Sequence, residues 1–184
     1  MTHLPPDLEA RLVQRSHVAD GCVSRVWYSR CDAYRYGLMR VWDAGSPAML
    51  FIMLNPSTAD EHRNDPTVVR CETRARQMGY GGVMVANLFA FRATRPQDLK
   101  QAADPKGDLN DAVLLHWVGH AGLTVAAWGV HGSHQNRCRD IAHALGPSVF
   151  HLGLTKHGHP RHPLYVSFTT EPALWPEAER YATR

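Results

Sequence analysis

No C-x-x-C pair occurs in the 184-residue sequence. Its four cysteines, Cys22, Cys31, Cys71 and Cys138, stand far apart. That spacing speaks against a zinc or iron–sulfur site and fits free, buried thiols in a reducing compartment. No H-E-x-x-H motif is present either, and neither a metal nor a cofactor is expected. No apolar run approaches the roughly 20 residues of a membrane-crossing helix. The first residues are rich in Pro, Asp and Glu and lack an apolar signal core. A soluble, cytoplasmic protein with no membrane partner is therefore expected. Repeats, low-complexity tracts and interdomain linkers are missing, so residues 1–184 read as one domain. Within it, residues 1–47 form an N-terminal helix and hairpin, 48–168 an α/β core and 169–184 a polar tail. An excess of one charge sign is also lacking. The net charge of +3 permits nucleic-acid binding without requiring it.

What is present is organised around the continuous apolar run 49–54, which breaks at Asn55-Pro56-Ser57-Thr58. Such a run ending in turn residues reads as a strand buried on both faces. Upstream, Asp7 is expected to cap a short helix over 8–14. Residues 22–30 and 34–42 form a hairpin about Cys31-Asp32-Ala33, with Arg35 and Arg40 as surface charges. Downstream, Asp65-Pro66 starts a helix that ends at Gly79. A second buried strand, 82–89, contains Asn87. Asp108 caps a helix that turns Leu109, Val113 and Trp117 inward. A third strand, 123–128, stops at Gly129, and Ser133 caps the next helix. A fourth strand, 148–152, leads into the histidine-rich loop 155–163, and 164–168 is strand-like. Alternating strands and helices predict an α/β fold of three layers, α/β/α, with a short central parallel sheet and an N-terminal β-hairpin.

The polar residues gather behind the strands. Asn55, Ser57 and Thr58 follow the first and Asn87 ends the second. Gly129-Val130-His131-Gly132 follows the third, and the histidine loop the fourth. In a parallel sheet all of these share one edge, where ligands bind.

The order NPS, VANLF, AAWG, HPRHP resembles the uracil-DNA glycosylase superfamily over about residues 49–165. The resemblance implies a glycosylase-like fold and a DNA or nucleotide-like partner. By it, Asn55 would hold the hydrolytic water, Asn87 would contact the base, and His159 or His162 would be the loop histidine. More narrowly, LNPSTAD, DPT, GYGG, NLFAFRAT, AAWGVHG and HPRHPLY are similar to a bacterial family known as domain of unknown function 1643. That similarity implies no activity.

The chemistry is consistent with these roles. An Asn carbonyl orients water but is no strong base, and an Asn amide matches the donor–acceptor edge of a base. A histidine can donate to a leaving base. Each residue also has a structural reading. Asn55 is ordinary turn chemistry, and Asn87 can serve a buried structural hydrogen bond. Asp65 is a helix cap or a tie for the NPS loop. Ser57 and Thr58 are turn donors or phosphate ligands. Arg92 and Arg161, on loops at the same edge, are phosphate contacts or solvated charges. The expected function is hydrolysis of the N-glycosidic bond of a flipped base. The alternatives are a non-catalytic module for a nucleotide or modified base, and a hydrolase of a small nucleotide-like metabolite.

Overall fold

The computed structural model describes residues 3–176. Its single sheet has eight strands in the order β1-β2-β3-β5-β4-β6-β7-β8. Strands β1 (Val13–Ala19), β2 (Cys22–Tyr28) and β3 (Arg35–Val41) form an antiparallel meander. Strand β3 runs antiparallel to β5 (Gly82–Asn87). The strands β5, β4 (Ala48–Met53), β6 (Leu123–Ala126) and β7 (Phe150–His151) are mutually parallel. The short β8 (Ala173–Leu174) closes the far edge antiparallel to β7. The expected parallel sheet is thus the middle of a larger mixed sheet.

The helix expected over 8–14 with Asp7 as its cap is shorter and starts earlier, and β1 begins at Val13. Helix α1 is only Pro6–Glu9, and the chain turns back at Asp20-Gly21. Both residues have positive φ, 50° and 72°. That backbone twist is the one a two-residue hairpin needs, and the Asp-Gly pair is its sequence signal. The N-terminal hairpin is therefore part of a three-stranded unit.

Alternation along the parallel strands divides the core in two. Met49, Phe51 and Met53 of β4 join Val83 and Val85 of β5 and meet Val68, Cys71 and Ala75 of α2 (Pro66–Gln77). Leu50 and Ile52 join Met84 and Ala86 and meet Val113, Leu114 and Trp117 of α4 (Asn110–Val118). The same cluster takes in Ile141, Ala142 and Leu145 of α5 (Arg137–Leu145). Residues two apart in a strand share a face, so the two clusters lie on opposite faces of the sheet.

Helix α2 starts where the sequence places it. The Asp65 side chain accepts from the N–H groups of Thr67 and Val68, and Pro66 occupies the first helical position. Three other expected features differ. Leu109, not Asp108, precedes α4, because Asp108 is bound to Arg11 and Tyr36. Ser133 does not cap α5. It donates to Val130 O inside a 3-10 turn, and Asn136 in the left-handed region precedes the helix. Residues 164–168 are not a strand, since Pro163–Tyr165 is a 3-10 turn. A short helix, α3 (Pro96–Gln101), lies between β5 and α4. Of the four cysteines, all free, only Cys71 is buried, and Cys31 is exposed on the β2–β3 turn. Trp175, in the expected tail, is buried, and its backbone N–H donates to Val149 O.

Arg35 and Arg40 are not surface charges. They are 1% and 5% exposed. Every residue of β3 is buried, because the loop 55–65 covers the end of the strand that the alternation leaves looking half-exposed. Arg40 donates to Asn64 Oδ1 (3.0 Å), Ser24 Oγ (2.5 Å) and Asp60 O. Arg35 Nη1 donates to Ala59 O (2.5 Å). The carbonyls compensate the desolvation of two cations and fix the loop on the sheet.

Candidate functional site

A cleft of about 650 Å³ opens at the carboxyl ends of β4 and β6. Its floor and walls are built by Arg35, Met53, Leu54 and Trp128, together with residues that follow all four parallel strands. The position is the one expected for a ligand site of a parallel sheet, and the size is that of a small-molecule pocket.

Asn55 follows β4 directly and lines the cleft. Both hydrogens of its amide are used: Nδ2 donates to Ala93 O (2.7 Å) and to Pro56 O (3.0 Å). Two carbonyl partners identify that atom as the nitrogen and set the direction of Oδ1. Oδ1 makes no hydrogen bond among the described residues, so Asn55 offers the cleft an acceptor of fixed orientation.

Asp65 lines the same cleft. One oxygen, Oδ1, takes the N–H groups of Thr67 (3.0 Å) and Val68 (2.9 Å). Its other oxygen makes no hydrogen bond among the described residues. The cap and the cleft wall are therefore one residue.

The histidine loop resolves the choice between two side chains. His162 lines the cleft and His159 does not. His162 Nδ1 accepts from the N–H of Leu164 (3.4 Å). That places the proton of the neutral ring on Nε2. Burial lowers the pKa of His162, and Asp65 opposes this in part. At neutral pH the ring is an uncharged donor. His159 has its backbone tied to Thr155, with its N–H on Thr155 Oγ1 (3.2 Å).

Ser57 and Arg161 also line the cleft, whereas Thr58 and Arg92 do not. Thr58 is exposed. Arg92 stacks over the Tyr28 ring (5.3 Å) and donates to Asp32 O (3.2 Å), so it serves the hairpin turn. Asn87 is 1% exposed and absent from the cleft wall. It pairs in register with Met53, which does line the cleft, and both its amide atoms lack partners among the described residues. It sits beneath the site rather than in it.

Arg35, Tyr165 and Trp128 are among the lining residues that sequence reasoning did not name as site residues. Arg35 is a charged group at the cleft floor, lowered to about 10 by burial, with Asp65 opposing. Its signal was hidden because the covering loop is far off in sequence. Tyr165, 75% exposed beside His162, presents a ring at the cleft mouth. Its place after H-P-R-H-P-L was the available clue. Trp128, within the AAWG motif, is held by Gly132. A Cβ there would lie 2.1 Å from Trp128 Cδ1, so only glycine lets the ring stay.

Among the described residues no group of three or more His, Cys, Asp or Glu side chains is arranged to hold a metal ion. Likewise, no helix there is long and apolar enough to cross a membrane.

Residues 35–164 match the model of the family described as Protein of unknown function (DUF1643). The chain belongs to this family. The match begins at Arg35 and ends one residue before Tyr165, so it contains every other residue of the cleft wall. Comparison with curated proteins gives no match.

Proposed function

We propose that this member of the family is a base-processing enzyme acting on nucleic acid. In this reading it hydrolyses the N-glycosidic bond of a flipped base, on a three-layer α/β/α core of the glycosylase type. The observation that carries the proposal is the presence of two complementary groups, an acceptor and a donor, in the lining of one cleft. Asn55 supplies an acceptor fixed by two backbone carbonyls. His162 supplies a neutral Nε2–H donor. Hydrolysis needs this pair. Water held by Asn55 Oδ1 adds to the anomeric carbon as the carbon–nitrogen bond breaks. The bond pair leaves with the base, and a proton of the water ends on it. A donor from His162 stabilises the negative charge that develops on a base carbonyl. Tyr165 at the mouth and Arg161 on the rim supply a stacking face and a phosphate contact.

Asn55 itself favours a second reading. An amide orients water without taking its proton, which fits a non-catalytic module that binds a nucleotide or modified base. A base-release assay on labelled oligonucleotides separates the two. Release that depends on Asn55 supports the enzyme. Salt-sensitive binding without release supports the module.

A further inference from the structure

Hydrolysis in the cleft leaves one proton without a place. The water must lose it as its oxygen adds to the sugar, and Asn55 has no group that takes it. His162 does not take it either, because Nδ1 is held by the N–H of Leu164 and Nε2 carries the ring proton. A second histidine, His131, lines the same cleft. It is half-buried, and its ring makes no hydrogen bond or ring contact among the described residues.

The sheet sets His131 on the loop next to that of Asn55. Strands β4 and β6 are neighbours, with Ile52 opposite Ala126. The pairing continues as Ala127 N–H donates to Ile52 O (2.8 Å). Asn55 follows the end of β4, and His131 follows the end of β6. Gly129, with a φ of 70°, turns the chain between β6 and His131. Its N–H donates to Pro160 O (2.9 Å), which ties this turn to the loop that carries His162. Adjacent strands lie about 4.8 Å apart, and one water bonded to two groups spans about 5–6 Å. The spacing of the two loops thus matches the reach of a shared water.

Burial lowers the pKa of His131 below its ordinary 6.5, and the Lys100 ammonium on α3 adds to this. At neutral pH the ring is uncharged and one of its nitrogens is a free acceptor. The other titratable groups of the cleft are Arg35 of β3, Asp65 before α2, and Arg161, His162 and Tyr165 after β7. Of these, Asp65 is the rival for the proton, through its uncommitted oxygen.

We infer that His131 is the general base of the cleft, a catalytic residue that takes the proton of the water oriented by Asn55. The inference rests on the hydrolytic reading of the cleft and supplies the acceptor which that reading needs. The water oxygen bonds to the anomeric carbon, and the carbon–nitrogen bond pair leaves with the base. The water proton passes to the free ring nitrogen of His131 and from there to the departed base, so the ring ends as it began.

The test is single-turnover base release from oligonucleotides carrying hypoxanthine, uracil, mismatched thymine or hydroxymethyluracil. It is followed against pH on the strand that releases fastest. In the unaltered protein the rate is expected to fall about tenfold per pH unit on the acid side as His131 protonates. His131→Ala is expected to lose about 10²–10⁴-fold in rate, to lose that acid limb, and to regain rate when imidazole is added. Asp65→Asn keeps a capping side chain and is expected to retain the limb. A rate that stays flat on the acid side in the unaltered protein overturns the inference, whether or not the variant folds. A limb that survives His131→Ala and disappears in Asp65→Asn also overturns it, because the carboxylate is then the base. So does a slow, folded His131→Ala with an unchanged pH profile and no rescue by imidazole, which marks a structural role. Release as fast from His131→Ala as from the unaltered protein removes the inference alone. Release from no strand by the folded, unaltered protein removes the hydrolytic reading and the inference with it.

Discussion

Asn55 spends both amide hydrogens on the carbonyls of Ala93 and Pro56, so one side chain ties two loops and aims an acceptor into the cleft. Asn55→Asp keeps the size and removes the donors. It sets a carboxylate against two carbonyls and is expected to lower stability by about 1–3 kcal/mol in urea unfolding, the cost of leaving such groups unpaired. His162 gives a pH-dependent prediction. Burial lowers its folded-state pKa below the ordinary 6.5. Below about pH 6.5 the unfolded chain takes up a proton that the folded chain does not. Stability should therefore fall as the pH drops through 6.5 toward the folded value, and be fully present above it. His162→Gln should flatten that part of the curve. Unfolding midpoints at pH 5 and pH 7.5 for both proteins decide the matter, and an unchanged slope in the variant contradicts the assignment.

At the scale of elements, α2 organises one wall of the site. Its cap residue, Asp65, lines the cleft. Its Arg70 and Arg74 hold the segment that follows the histidine loop. Arg70 donates to the carbonyls of Pro163 and Val166. Arg74 donates to those of Ser167, Phe168 and Thr170, and both arginines lie over the Phe168 ring. Arg74→Ala should leave three carbonyls of that segment without partners. Limited proteolysis is expected to cut near Tyr165 and Phe168 several times faster in the variant, with the global midpoint less affected. Asp65→Ala should cost about 1 kcal/mol as a lost cap. This helix was legible in the sequence, because Asp65-Pro66 and Gly79 mark its ends by local chemistry. The β1–β2 turn is equally local, since Asp20-Gly21 is a two-residue hairpin signal, but the sequence reading did not take it up. Arg35 was not legible. Its burial depends on a loop some 20 residues away, and no local pattern records a cover that distant. His162 and His159 are alike in sequence, and only the turn at Thr155–His159 decides which ring enters the cleft.

Across the whole molecule, the parallel strands β5-β4-β6-β7 place the loops on one edge, and the antiparallel meander supplies Arg35 from the side. The buried runs 49–54 and 82–89 made that central arrangement readable, whereas the added antiparallel strands rest on pairings no single segment specifies. Leu50, fully buried in β4 between α4 and its neighbours, should cost about 2–5 kcal/mol as Leu50→Ala through the cavity it leaves. The central claim is that the cleft processes a base, and base release from oligonucleotides tests it most directly. Duplex and single-stranded oligonucleotides would carry hypoxanthine, uracil, mismatched thymine, hydroxymethyluracil or no lesion, with abasic sites revealed by alkali. Release from at least one modified strand, reduced about 10²–10³-fold in Asn55→Ala, is the predicted result. No release from any strand by the folded protein, or release that survives Asn55→Ala unchanged, contradicts the account.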